Sequence, residues 1–211
     1  MKPIKILATM TLMIFMTACS STKVTSSWKA DDAKVNTAGF NKVIVAALLQ
    51  DKDRSLQQQM EKELVSDLNA KGIQAVSAYQ LYGPKYFSKN EDQALKKLQK
   101  SGIDGVLTVV MLDKNKEKDY VPGNVNYRPV TYYNRWYGYY STVYDRVYSP
   151  GYYTQNTNYF WESNLYDLRS DKLLYSAQSE SFDPSSTGRL ANDYSNKIVS
   201  DMTKQGLFAK K

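Results

Sequence analysis

The chain of 211 residues contains no histidine and a single cysteine, Cys19. The lack of histidine excludes Ser-His and Cys-His catalysis and every metal site that needs a His ligand. With only one cysteine, no disulfide within the chain can hold the fold. Long apolar runs are also lacking, since Ile6 to Phe15 falls well short of the roughly 20 residues that span a bilayer. The sequence therefore predicts a fold held by its own core, with no metal and no cofactor.

Tyrosine is the residue present in excess, with 18 Tyr against 6 Phe and 3 Trp. The apolar fraction of 42% and the charged fraction of 23% are ordinary for a globular protein. The formal net charge of +7 falls to 7 − 2 = +5 if residues 1–18 are removed, because they contain Lys2 and Lys5. The length suits one domain plus a targeting segment.

Residues 1–18 have the organisation of a secretory signal peptide. Lys2 and Lys5 form a basic start, a short apolar stretch follows, and small residues precede a cut. The segment Met16-Thr17-Ala18-Cys19 resembles the lipobox of bacterial lipoproteins, although Leu is commoner where Met16 stands. The alternative is an ordinary signal peptide followed by a chance cysteine.

The resemblance to lipoproteins implies that Cys19 is the lipidation site and attaches the chain to a membrane. Several acyl chains make such anchoring stable, whereas one alone is marginal. Under the sorting rule of enterobacterial lipoproteins, Ser20 implies transfer to the outer membrane, with the domain facing the periplasm. We expect residues 19–39, which are rich in Ser, Thr, Lys and Asp, to form a polar tether.

Residues 40–208 are predicted to form one α/β domain with a mixed sheet in two or three layers. Apolar runs predict strands at Val43 to Leu49, Ile73 to Tyr79 and Gly105 to Leu112. Two helices lie between these strands, so parallel pairing is expected. The predicted helix caps are Asp51, Asp53 and Asn90, and the predicted helix stops, each followed by an apolar residue, are Gly72, Gly102 and Gly206.

The second half of the domain has a different pattern. Tyr159 to Leu168 and Lys172 to Phe182 flank Arg169-Ser170-Asp171, which predicts an antiparallel hairpin. The polar run from Asp183 to Thr187 offers caps for a last helix. The apolar residues of that helix repeat every four positions, at Leu190, Tyr194, Ile198 and Met202.

The predicted element order resembles a class of small periplasmic domains. It is similar to the domains of the curli-secretion lipoprotein, of the lipoprotein that activates penicillin-binding proteins, and of the N-terminal part of the Tol-system propeller protein. The resemblance covers roughly residues 40–115 and 158–208, and it depends on element order, not on a motif. It implies a non-enzymatic envelope protein that acts by contact with an envelope protein partner.

A tyrosine-rich insertion at residues 116–157 interrupts the regular pattern. It contains Pro, Gly and Arg but no Leu or Ile, so it cannot easily build a core of its own. Tyrosine provides a large contact area and a hydroxyl group at a small rotamer cost. The candidate binding residues are Tyr132, Tyr133, Trp136, Tyr139 and Tyr140. The alternative is a long hairpin whose tyrosines stack on their own domain.

Catalytic motifs are scarce in the sequence. It has no Gly-rich phosphate loop and no nucleophile elbow. Export removes the usual nucleic-acid partners, so no nucleic-acid binding is expected. Glu162 is the best isolated carboxylate, and paired carboxylates can hydrolyse glycosides without histidine. The sequence thus favours an interaction or assembly lipoprotein without enzymatic activity, and leaves a cell-wall carbohydrate binder or glycoside-active enzyme as the alternative.

Overall fold

The computed structural model describes residues 21–30, 40–84, 91–117 and 156–207. Within them the strands are β1 (Thr22–Lys29), β2 (Val43–Leu48), β3 (Ala75–Ser77), β4 (Gly105–Glu117), β5 (Asn156–Asp167) and β6 (Lys172–Phe182). The helices are α1 (Arg54–Ala70), α2 (Ala78–Tyr82), α3 (Glu91–Lys100) and α4 (Thr187–Lys204). A short 3-10 turn, Asp51–Asp53, precedes α1.

The strands form one mixed sheet in the order β1-β6-β5-β4-β2-β3. Strand β2 pairs in parallel with both β3 and β4, as the strand-helix-strand order predicts. The β4–β5, β5–β6 and β6–β1 pairs are antiparallel. The predicted fold class, a mixed α/β sheet with a hairpin and a C-terminal helix, is confirmed.

The sheet is covered by helices on both faces, which makes the domain three-layered. Every residue of β2 is buried, because alternate side chains enter two different cores. Val43, Val45 and Ala47 share a core with α1 and α4. Ile44, Ala46 and Leu48 share the other core with Ala78 of α2 and Leu98 of α3.

The predicted helical faces are confirmed for the two long helices. All four apolar residues that repeat along α1, and all four that repeat along α4, are buried in the same core. They are Leu56, Met60, Leu64 and Leu68 of α1, and Leu190, Tyr194, Ile198 and Met202 of α4.

The predicted glycine stops are confirmed as well. Gly72, Gly102 and Gly206 all have positive φ angles, between 70° and 83°. In each case the next residue donates its N–H to a carbonyl one turn back, at 3.0 to 3.1 Å, and packs into the core. This is the hydrogen-bond pattern of a Schellman motif.

Some predicted boundaries and caps are wrong. Asp53 is the N-cap residue of α1, as predicted, but its side chain makes no capping hydrogen bond and pairs with Lys114. Asp51 lies in the 3-10 turn and pairs with Arg54. The strand predicted to end at Tyr79 ends at Ser77. The Ser77 hydroxyl accepts a hydrogen bond from the N–H of Gln80 at 3.1 Å and so caps α2. Asn90 lies outside the described residues.

The predicted tether at residues 19–39 is wrong for residues 22–29, which form the edge strand β1. Every register position from Thr22 to Lys29 except residue 25 has a partner on β6. The backbone groups along the outer edge of β6 need hydrogen-bond partners, and β1 supplies them although it buries few side chains. The folded domain therefore includes β1 and does not begin at residue 40.

Candidate functional site

The predicted site residues themselves lie outside the described part of the chain. These are Cys19 and the aromatic residues Tyr132, Tyr133, Trp136, Tyr139 and Tyr140. The structure does show where the segments that contain them join the fold. The N-terminal segment joins at Ser21, and residues 118–155 join at Glu117 and Asn156.

Ser21 is bound to the domain through both its backbone and its side chain. Its N–H and its hydroxyl each lie 3.2 Å from Oδ2 of Asp193 on α4. Its carbonyl accepts a hydrogen bond from the N–H of Phe182 at 2.9 Å. Asp193 is buried and also accepts a hydrogen bond from Nε of Arg189, one helical turn earlier, at 3.1 Å. The N-terminal segment is therefore fixed two residues after Cys19.

The two residues that flank residues 118–155 are paired with each other in the sheet. Glu117 and Asn156 are partners in the β4–β5 register and form its last pair. The residue that follows β6, Asp183, is bound to β5 beside this pair. Its N–H donates to the carbonyl of Thr157 at 2.9 Å, and its Oδ1 accepts from the N–H of Thr157 at 3.2 Å. The tyrosine-rich segment thus starts and finishes on two paired strands.

Both junctions lie at one end of the sheet, which we name the junction end. At this end β4 finishes at Glu117, β5 starts at Asn156, β6 finishes at Phe182 and β1 starts at Thr22. Strands β4 and β1 are three strand spacings apart, or about 14 Å at a spacing of about 4.8 Å. The lipobox-like segment and the tyrosine-rich segment therefore meet the domain within a short distance of each other.

Glu162 lies in the middle of β5 and is 5% exposed. Burial raises the pKa of its carboxyl group, and hydrogen bonds from the side-chain amides of Asn164 and Gln178 oppose that rise. Those amide nitrogens lie 3.3 and 3.5 Å from the carboxyl oxygens. Oδ1 of Asn164 is buried without a hydrogen-bond partner. The group is a buried acid whose neutral form is favoured by its surroundings.

A second carboxylate lies diagonally across from Glu162. Gln178 is the direct partner of Glu162 on β6, and Glu180 is two residues further along on the same face. The Cα atoms of diagonal neighbours in an antiparallel pair are about 7–8 Å apart. Glu180 forms an ion pair with Lys23 of β1 at 3.0 Å. On this face Glu162 is buried, and Glu180 is bound to a lysine.

Glu61 of α1 is a buried carboxylate that we did not identify from the sequence. Its Oε1 accepts the N–H of Ala47 at 3.0 Å, and its Oε2 accepts the Ser77 hydroxyl at 2.5 Å and the N–H of Tyr79 at 2.8 Å. Burial raises the pKa of Glu61, against these hydrogen bonds. Because β3 ends at Ser77, it cannot pair with the N–H of Ala47, and Glu61 takes its place. The role of Glu61 is structural.

An open cleft of about 380 Å³ lies between the C-terminal ends of α1 and α4. Its polar lining residues are Asp67, Lys71, Asn196, Ser200, Thr203 and Lys204. Oδ2 of Asp67 accepts a hydrogen bond from the Ser195 hydroxyl at 2.6 Å. Since α4 begins near the junction end and runs away from it, this cleft is remote from both segments that the sequence singled out.

Two general features of the described residues bear on the class of site. No helix among them is both long enough and apolar enough to cross a membrane. In the same parts of the chain, no three His, Cys, Asp or Glu residues are grouped so that they could hold a metal ion.

The comparisons with known proteins concern the fold. No protein-family model matches the sequence, and no curated protein matches it. Among solved structures, the PelC dodecamer from Paraburkholderia phytofirmans is similar at 14% identity and a TM-score of 0.46, covering 90% of this chain and 99% of that one. Lipoprotein GNA1162 from Neisseria meningitidis is similar at 15% identity and a TM-score of 0.39, covering 77% of this chain and 98% of that one.

A PDZ domain protein from Parabacteroides distasonis is also similar, at 11% identity and a TM-score of 0.42. That match covers 90% of this chain but 37% of the other. At such identities the similarity concerns the course of the backbone, and no binding partner or chemistry follows from it. The resemblances to lipobox proteins and to the three periplasmic domain classes stay predictions.

Proposed function

We propose that this chain is a lipid-anchored protein of the bacterial cell envelope that works by contact and not by catalysis. In this proposal residues 1–18 are removed and Cys19 carries the lipid. The domain then faces the periplasm from the outer membrane. The segment Met16-Thr17-Ala18-Cys19 supports the lipidation, and Ser20 supports the outer membrane as the location. The partner is another envelope protein.

The observation that carries the contact role is the way in which residues 118–155 join the sheet. These 38 residues include 11 Tyr, and they are attached at both ends to paired strands, at Glu117 and Asn156. Because Glu117 and Asn156 are paired on the sheet, the two points at which the segment joins the domain have defined positions, and loops on rigid scaffolds often carry function. Tyrosine beside arginine is a composition typical of binding surfaces. We propose that Tyr132, Tyr133, Trp136, Tyr139 and Tyr140 make the contact.

The test is crosslinking in intact cells followed by purification of the tagged protein. One variant replaces the five proposed contact residues by Ser. A matched variant replaces five other tyrosines of the same segment by Ser: Tyr120, Tyr127, Tyr144, Tyr152 and Tyr153. The proposal expects a specific crosslinked partner that the first variant loses and the second keeps. A partner captured equally well by both variants would contradict the assignment of these residues.

A cell-wall carbohydrate binder or glycoside-active enzyme is the second candidate function. The observation that favours it is that Glu162 and Glu180 lie on one sheet face, since glycoside hydrolysis uses a pair of carboxylates. The burial of Glu162 and the ion pair between Glu180 and Lys23 favour a structural role for both groups. The contact role is therefore the first proposal.

Binding of soluble cell-wall glycan fragments distinguishes the two candidates. A carbohydrate site on this face should bind the fragments saturably, and Glu162→Gln should reduce the affinity by at least tenfold. Lack of saturable binding by the wild-type protein would remove the second candidate.

A further inference from the structure

The position of Ser21 restricts how the domain can sit on a membrane. Both the N–H and the hydroxyl of Ser21 are bound to Asp193, and its carbonyl is bound to the N–H of Phe182. The next residue, Thr22, is buried, and its hydroxyl lies 2.8 Å from that of Ser181. Ser21 therefore moves with the folded domain and does not belong to a free tether.

The covalent distance from Ser21 to the proposed anchor is short. Two residues of fully extended chain span at most about 7 Å. Acyl chains on Cys19 lie in the bilayer, which keeps the cysteine at its surface. Ser21 is then held within about 7 Å of the lipid headgroups. The residues that contact Ser21 must then lie at a similar distance from the lipid headgroups.

The neighbours of Ser21 have side chains that suit a bilayer surface. Phe182, whose N–H is bound to Ser21, is 52% exposed although it is a large apolar residue. Ser185, Ser186 and Arg189, in the loop after β6 and the first turn of α4, are exposed as well. Exposed phenylalanine inserts at the boundary between headgroups and acyl chains, whereas the Arg189 guanidinium is already paired with Asp193.

We propose that the junction end of the domain lies against the lipid bilayer, with the Phe182 ring in the headgroup region. The proposal depends on the proposed lipidation of Cys19 and adds an orientation to it. Strand β6 has 11 residues, so its other end is about 35 Å away at about 3.3 Å per residue. The turn that contains Ser170 therefore projects away from the membrane.

This orientation also bears on the tyrosine-rich segment. Glu117 and Asn156, at which that segment joins the sheet, belong to the junction end. Both of its attachment points are then on the membrane side of the domain. A partner that binds near these points would contact the domain at the membrane surface.

The experiment uses single introduced cysteines in the full-length lipidated protein. In that protein the Cys19 sulfur is already alkylated, and the sequence has no other cysteine, so a thiol-reactive fluorophore labels the introduced residue alone. Phe182→Cys and Ser185→Cys report on the junction end, and Ser170→Cys is the matched control on an exposed turn. Vesicles of phosphatidylethanolamine and phosphatidylglycerol carry a quencher on the lipid headgroup.

We expect the labels at residues 182 and 185 to be quenched several-fold more strongly than the label at residue 170. Insertion of a ten-residue Gly-Ser linker between Cys19 and Ser20 should reduce that difference while the protein still floats with the vesicles. Equal quenching at the three positions in floating protein would overturn the orientation alone. Labels at 182 and 185 shielded from both the quencher and a water-soluble reagent would also overturn it, since a protein contact would then cover this end.

Intact mass and vesicle flotation are measured first on each variant. Protein that carries no lipid and does not float would overturn the proposed lipidation together with the orientation. The two failures are thus distinguishable.

Discussion

Three of the four buried carboxylates among the described residues have different roles, which depend on the groups around them. Glu61 accepts three hydrogen bonds where β3 stops short, and Asp193 holds Ser21 to α4. Glu162 receives only two long hydrogen bonds, both from side-chain amides. A buried carboxylate with few donors is expected to be the one whose ionisation costs the fold most.

The raised pKa of Glu162 predicts a pH-dependent effect of Glu162→Gln on stability. When a carboxyl group has a higher pKa in the folded state, its contribution is fully present below the unfolded value and is lost as pH rises through the folded value. The ordinary value is 4.5. From about pH 4 upward, the free energy of unfolding of Glu162→Gln should therefore increase relative to that of the wild-type protein. Denaturant unfolding at a series of pH values measures it, and a difference independent of pH would contradict the proton binding that we infer.

Sequence reasoning at the residue scale identified Glu162 but missed Glu61. The signal was present, because Gln57, Glu61, Leu64 and Leu68 are spaced by four, three and four residues along one helical stripe. A charged residue inside such a stripe must find buried partners. Those partners, Ala47 and Ser77, come from two strands, and their position relative to α1 depends on tertiary packing that the stripe does not encode.

Tyrosine has two separate roles in this chain. Tyr159, Tyr166, Tyr175 and Tyr194 are buried in the cores. The Tyr175 hydroxyl donates to Asp201 at 2.8 Å, and Tyr194 packs against Trp161, which stacks on Tyr159. Tyr159 belongs to β5, in agreement with the strand predicted from Tyr159 to Leu168. The excess of tyrosine is therefore not wholly a property of the segment at 118–155.

At the scale of elements, the long amphipathic helices and the glycine stops were predictable, whereas the edge strand was not. An apolar repeat every four residues is a strong signal, because only one face of a helix can be buried. Strand β1 has the sequence TKVTSSWK, in which few side chains enter the core. It is held by backbone pairing to β6. Because every residue other than proline has the same backbone donor and acceptor, the sequence does not indicate this pairing.

The packing of α1 on α4 predicts the cost of truncating their central residues. Leu64 and Ile198 lie on the two helices, are fully buried, and belong to one core. Each change to Ala should lower the free energy of unfolding by about 2–5 kcal/mol, from lost apolar burial plus a cavity. Urea unfolding of the soluble domain measures both values. Changes below about 1 kcal/mol at both positions would mean that these faces do not form the core.

At the scale of the whole molecule, the β4–β5 register shows that residues 118–155 are one continuous insertion between two paired residues. Glu117 and Asn156 are direct partners in adjacent antiparallel strands. Two such residues can be joined by a two-residue turn. The core residues of the described elements come from both sides of this pair, and they pack without needing a long connection between β4 and β5.

We therefore expect replacement of residues 118–155 by Asn-Gly to leave the domain folded. Shortening a 38-residue connection to two residues reduces the entropy of loop closure, by roughly 2–3 kcal/mol if the longer segment is flexible. The melting temperature should be unchanged or higher, while the crosslinked partner is lost. A fall of more than about 10 °C would show that the tyrosines of the segment complete the core, which is the alternative that the sequence left open.

The proposed envelope location and the proposed orientation of the domain both depend on the lipid anchor at Cys19. The most direct test is the intact mass of the protein purified from membranes, together with its partitioning between detergent and water. The wild-type protein should begin at Cys19, carry the mass of a diacylglyceryl group and an amide-linked acyl chain, and enter the detergent phase. Cys19→Ser should lack that added mass and remain in water or keep residues 1–18. A wild-type protein that partitions into water with no lipid mass would show that Cys19 is not a lipid anchor.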